Sequence, residues 1–93
     1  MMTREEEANE FWLLTLAILE DSRVETSEAK VVIRWIQEHQ RGDEFAPQLA
    51  KLGKFMDDGY IDRFESQEII LAISSVLRHL REAAKAEAAG AAK

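Results

Sequence analysis

An all-α fold, with four main helices arranged as two repeated helical hairpins, is predicted for this 93-residue chain by three observations. Apolar side chains recur three and four residues apart in four separate stretches, the period of a helix that buries one face. Thr3-x-x-Glu6 and Asp62-x-x-Glu65 both have capping-box spacing, in which the first side chain accepts from the fourth residue's backbone and the fourth side chain reaches back. Finally, Asp21 to Glu28 overlies Asp58 to Glu65 at a constant offset of 37 positions. Under that offset Leu19/Met56, Val24/Ile61, Val32/Ile69, Ile33/Ile70 and Ile36/Ile73 match in character.

The first helix is expected to begin at Thr3, where Glu5, Glu6 and Glu7 complement the positive end of the helix dipole. From Phe11 to Leu19 nearly every residue is apolar, and on a helix this run divides into two stripes: Trp12, Leu16, Leu19 and Phe11, Leu14, Ile18. Asp21-Ser22-Arg23 interrupts the pattern. A second helix is expected from about Thr26 to Gln40, with Ala29, Val32, Ile33 and Ile36 inward and Val31 and Trp35 off that face.

Gly42, in the polar turn Arg41-Gly42-Asp43-Glu44, is placed to terminate that helix. Pro47 suits the first position of a short third helix, where its missing N–H costs nothing. That helix runs to about Met56, with Leu49, Leu52, Phe55 and Met56 inward. Asp57-Asp58-Gly59-Tyr60 then reads as a tight turn. Asp62 caps a fourth helix that turns Ile69, Ile70, Ile73, Val76, Leu77 and Leu80 inward. Beyond Arg81 the chain is rich in Ala and has no large apolar side chain to dock, so a frayed helical extension is expected over residues 83–93. One domain over residues 1–82 follows, with repeats at about 11–40 and 47–80. Val24 and Ile61, each between a turn and a helix, are expected to let the two hairpins meet through their loops.

The two halves differ in where they are apolar. Phe11 and Leu14 align with Gln48 and Lys51, while Val31 and Trp35 align with Glu68 and Ala72. Two explanations stand open: the first hairpin packs more centrally, or Phe11, Leu14, Val31 and Trp35 form an interface with a protein partner or a second copy.

A net charge of −6 disfavours direct binding to nucleic acid or to anionic membranes, which require clustered Lys and Arg. The absence of Cys removes disulfides, a thiolate nucleophile and thiolate-ligated zinc. No apolar run approaches a membrane span, and the acidic amino terminus lacks the character of a signal peptide, so a cytoplasmic protein is expected. His39 and His79 lie in no catalytic or metal-binding motif. A non-enzymatic protein with no cofactor is the expectation.

Asp58 to Glu65 matches the back half of an EF-hand loop, which makes Asp58, Asp62 and Glu65 candidate cation ligands. The front half supplies Lys54 and Met56 where carboxylates are needed. The alternative reading of the same residues is a glycine turn followed by a capping box.

With those residues in view, two resemblances arise. The Asp58-Gly59-x-Ile61-x-x-x-Glu65 turn resembles those of the TerB-like tellurite-resistance proteins, which implies an EF-hand-pair-like or TerB-like bundle and a divalent-metal site on Asp57, Asp58, Asp62 and Glu65. The stretch from Leu14 to Leu77 is similar to the small helical module that precedes a BRCT domain in some bacterial and phage proteins. That likeness rests on Asp21-x-x-Val24-x-x-x-Glu28-Ala29, Trp35-Ile36, Pro47 and the same glycine turn, with Ser22 standing where the module has Gly. It carries no catalytic residues and implies an adaptor for DNA-repair proteins. The leading expectation is a small acidic interaction module, with a homodimer as one form of it, of phage or mobile-element type, that inhibits or modulates a host protein by occupying its surface.

Overall fold

The computed structural model describes residues 2–21, 24–56 and 61–91. It contains four helices: α1 (Arg4–Asp21), α2 (Thr26–His39), α3 (Ala46–Met56) and α4 (Arg63–Ala91). No strand occurs among the described residues, so the fold is all-α as the apolar periodicity predicts.

The helix starts follow from local hydrogen bonding. At α1, the Thr3 N–H donates to Glu6 Oε1 at 3.2 Å, and the Glu6 N–H donates to Thr3 Oγ1 at 3.2 Å. At α4, the Glu65 N–H donates to Asp62 Oδ1 at 2.8 Å, and the Asp62 N–H donates to Glu65 Oε1 at 3.3 Å. At α2 the Glu25 N–H donates to Glu28 Oε1 at 3.0 Å. Each pair satisfies backbone donors that the first turn of a helix leaves without partners. The second helix closes at Gln40, whose N–H donates to the Ile36 carbonyl. Gly42 lies beyond that cap, in the turn leading to α3, and adopts φ +64, the left-handed conformation that costs glycine least.

The principal packing joins α1 to α4, and these two run antiparallel, since the start of α1 meets Glu87 and Trp12 meets Arg81. Smaller contacts link α2 with α3, α3 with α4, and α1 with α2. The largest interface therefore lies between the two halves of the chain rather than within either hairpin. Its centre is a cluster in which Phe11, Ile36, Phe45, Leu52, Ile69 and Ile73 are buried. Val24 is buried and Ile61 half-buried against this cluster. The Val24 N–H also donates to the buried Ser66 Oγ at 3.4 Å, fastening the start of α2 to the first turns of α4.

The Ala-rich segment is helical as expected: α4 continues unbroken from Arg63 to Ala91. Alanine has the highest helix propensity, and Glu87 ties this segment to the start of α1. The two stripes of α1 are buried unequally. Phe11 and Ile18 are buried, Leu14 and Leu19 half-buried, and Trp12 is 37% exposed. The helix turns the Phe11 side inward because α4 and Trp35 of α2 both reach it; the Phe11 and Trp35 rings are 4.9 Å apart.

Candidate functional site

The four residues expected to form an interface are not gathered on one surface. Phe11 is fully buried and Trp35 is 7% exposed, so both are committed to the core of this chain, and Leu14 is half-buried against it. Only Val31, at 51% exposure, faces solvent. Trp35 lies inward because its polar edge has partners: Nε1–H donates to Glu10 Oε1 at 2.6 Å, and its ring stacks on His39 at 4.1 Å. His39 in turn meets the Trp35 carbonyl through Nδ1 at 2.8 Å, a contact that caps the end of α2. A buried indole N–H needs such an acceptor, and Glu10 and His39 are 25 positions before and 4 after Trp35.

The candidate cation ligands divide between described and undescribed residues. Asp57, Asp58, Gly59 and Tyr60 lie outside the described residues. Asp62 and Glu65 accept each other's backbone N–H groups at the start of α4. Among the described residues no group of three His, Asp or Glu side chains is arranged to hold a metal ion.

An ion-pair clasp that the linear pattern does not show joins the start of α1, the α2–α3 turn and the later half of α4. Arg4 and Glu7 are 3% and 4% exposed. Arg4 Nη2 donates to Glu44 Oε1 at 2.6 Å, the Arg41 N–H donates to the same oxygen at 2.9 Å, and His79 Nε2 lies 3.0 Å from Glu44 Oε2. Glu87 accepts from the Arg4 N–H at 3.1 Å and from Arg41 Nη1 at 3.2 Å. His79 falls within α4, not near a helix end, and packs edge-on to the buried Phe45 ring at 5.1 Å.

Burial alone would raise the Glu44 carboxyl, but the Arg41 backbone N–H, the Arg4 guanidinium and His79 together outweigh it and hold the group below its ordinary value of 4.5. The Arg4 backbone N–H, opposed by partial desolvation and aided by the Arg41 guanidinium, does the same for Glu87. A carboxyl whose folded-state value is depressed stabilises the fold above its unfolded value and loses that contribution as pH falls through the folded one. Thermal stability is therefore expected to fall as the pH is taken below 4.5, and Glu44→Gln should flatten that acid limb. Melting curves recorded stepwise from neutral to acid pH check this, and an unchanged limb in the variant would remove Glu44 from the account.

The surface feature that fits a binding role lies where α1 and α4 run side by side. A groove of about 420 Å³ is lined by Trp12 and Leu19 of α1 and by Ser74, Leu77, Arg78, Arg81, Glu82 and Lys85 of α4. The Arg81 guanidinium sits 5.4 Å from the Trp12 ring, a cation–π distance. On the outer side of α1, away from the core, Leu13 is 69% exposed and Leu16 half-buried. The apolar edge thus stands beside three bases and one acid, Glu82, a local excess of positive charge in a chain whose net charge is −6. The spacing of Trp12, Leu16 and Leu19 marks this stripe in the sequence, yet its exposure follows only from the seating of α1. A second, shallower groove between α3 and α4, lined by Pro47, Gln48, Lys51, Leu71 and Ser75, has an exposed Leu71 but no concentration of charge. No protein-family model, characterised protein or solved structure matches this chain.

Proposed function

We propose that this chain is a small non-enzymatic protein-interaction module, acting by occupying a partner's surface, with the outer side of α1 and its groove against α4 as the docking face. The observation that carries this reading is the exposure of Trp12 in a groove with Arg78, Arg81, Glu82 and Lys85, with Leu13 exposed at the next position of α1. Tryptophan and arginine are the side chains most enriched among residues that dominate interface energies. A groove between two helices, flanked by charge, suits a helix laid along it, with apolar anchors in the groove and acids at its rim.

A photo-crosslinking residue at position 13 is expected to give a defined protein adduct in cells that express the chain. The same residue at position 30, on the exposed outer side of α2, is expected to give none. Equal labelling at both positions would show that the α1 face has no special affinity and would end this reading.

A further inference from the structure

We propose that residues 82–91 of α4 form a strap, latched by the Glu87 carboxylate, which opens off the start of α1 while the rest of the fold stays closed. Burial gives this segment little to hold it. Among the described residues Leu80 is the last buried apolar side chain of α4, and over residues 82–90 only Ala83 and Ala84 are even half-buried. Helix propensity keeps an Ala-rich segment helical, but it supplies no attachment to a neighbouring element. The attachment is the carboxylate. Glu87 Oε1 accepts from the Arg4 N–H at 3.1 Å, and Glu87 Oε2 accepts from Arg41 Nη1 at 3.2 Å. One side chain thus ties the end of α4 both to the start of α1 and to the α2–α3 turn.

The closed form also carries a cost. Arg4 is 3% exposed, and its Nη1 has no hydrogen-bond acceptor among the described residues. An N–H withheld from water without an acceptor favours any motion that hydrates it. The strap lies against Arg4 through Glu87, so opening lets water reach that guanidinium, and the latch is balanced against this gain. Opening also changes the groove beside α1. Glu82 and Lys85 line it and belong to the strap, whereas Trp12, Leu19, Leu77 and Arg78 do not. A partner that grips Lys85 therefore selects the closed form. That consequence rests on the α1 face being a docking surface; the opening itself does not.

Amide hydrogen exchange followed by NMR tests the latch, and it needs no partner, so its outcome is separate from the fate of the docking face. In the native chain the Arg4 amide is expected to be protected, unlike an ordinary first-turn N–H, because its acceptor comes from α4. Glu87→Ala is expected to accelerate exchange at Arg4 and over residues 84–91 by about five-fold, with Ile69 to Leu80 unchanged. Glu82→Ala, which removes an acid of the same segment outside the latch, is expected to leave both regions near native rates. Native rates at Arg4 and over residues 84–91 in Glu87→Ala overturn the proposal. Equal acceleration from Ile69 to Leu80 overturns it as well, since the segment then opens only with the whole fold. So does equal acceleration by Glu82→Ala, which would trace the effect to helix propensity instead of the latch.

Discussion

Phe11→Ala is expected to destabilise the protein by about 3–5 kcal/mol, the cost of emptying a fully buried aromatic site. Phe11 has no exposed surface, tilts against Trp35 at 4.9 Å, and sits on the face of α1 that packs along α4. Its loss leaves a cavity where three helices converge, and a rigid helical frame collapses only partly into such a space. Against a total stability of roughly 5–15 kcal/mol for a small domain, this is a large fraction. Trp12→Ala, one residue along, is expected to cost only about 1 kcal/mol, since that ring is 37% exposed and loses chiefly its contact with Arg81. Urea denaturation of the two variants compares the stripes of α1 directly. Similar losses for both would mean that α1 is seated with its other face inward.

Glu44→Ala is expected to cost about 3 kcal/mol, because it leaves the buried Arg4 guanidinium with only Glu7 Oε1, 3.8 Å from its Nε, to offset its desolvation. The Glu44 carboxylate accepts from Arg4 Nη2 at 2.6 Å and from the Arg41 N–H at 2.9 Å, and it faces His79 at 3.0 Å. The Arg4 side chain is 4% exposed and that of Glu44 15%. Coulomb attraction between groups so withheld from solvent is little screened, and removing one partner leaves the other's desolvation uncompensated. The pair Arg34–Glu38, at 3.1 Å but with side chains 82% and 57% exposed, supplies the contrast. Glu38→Ala is expected to change stability by less than about 0.5 kcal/mol. Arg4→Met combined with Glu44→Met should recover part of the Glu44→Ala loss, since it removes the buried guanidinium together with its acceptor and leaves Glu7 to Arg41, 3.5 Å away. Chemical denaturation of the set gives the coupling between Arg4 and Glu44, and a coupling near zero would mean the clasp holds nothing together.

Helix positions were legible because their causes are local. Thr3 with Glu6, and Asp62 with Glu65, satisfy one another across three residues, so their spacing can be read in the chain and is repeated in the hydrogen bonds. The inward set of α4, from Ile69 to Leu80, was equally legible, since a long helix with one strong apolar stripe has a single way to bury it. Phe45 was missed. It stands alone after a polar turn, without a periodic neighbour, and becomes a buried core residue only because α4 brings His79 beside it.

The site was legible in part. Trp12, Leu16 and Leu19 appear as a stripe in the sequence, but a helix with two apolar stripes does not say which one it buries. By helical period Trp35 falls off the inner face of α2; it is drawn in because Glu10 accepts its indole N–H and His39 covers its ring. The clasp was not legible, because Arg4 meets Glu44 and Glu87 across 40 and 83 positions. In a chain that is one-third charged, nothing in the order of residues distinguishes those partners from other acids.

The division follows the range of the forces. Helical period, caps and the absence of cysteine can be read along the chain, and they decide that the described residues form four helices and that no disulfide can form. Which stripe of α1 faces inward, which charges are taken out of water, and that the last turns of α4 are held by Glu87 depend on surfaces that meet only once the helices pack. Burial is shared between elements distant in sequence, so the outer face of α1 becomes a surface, and a candidate for a partner, only in three dimensions.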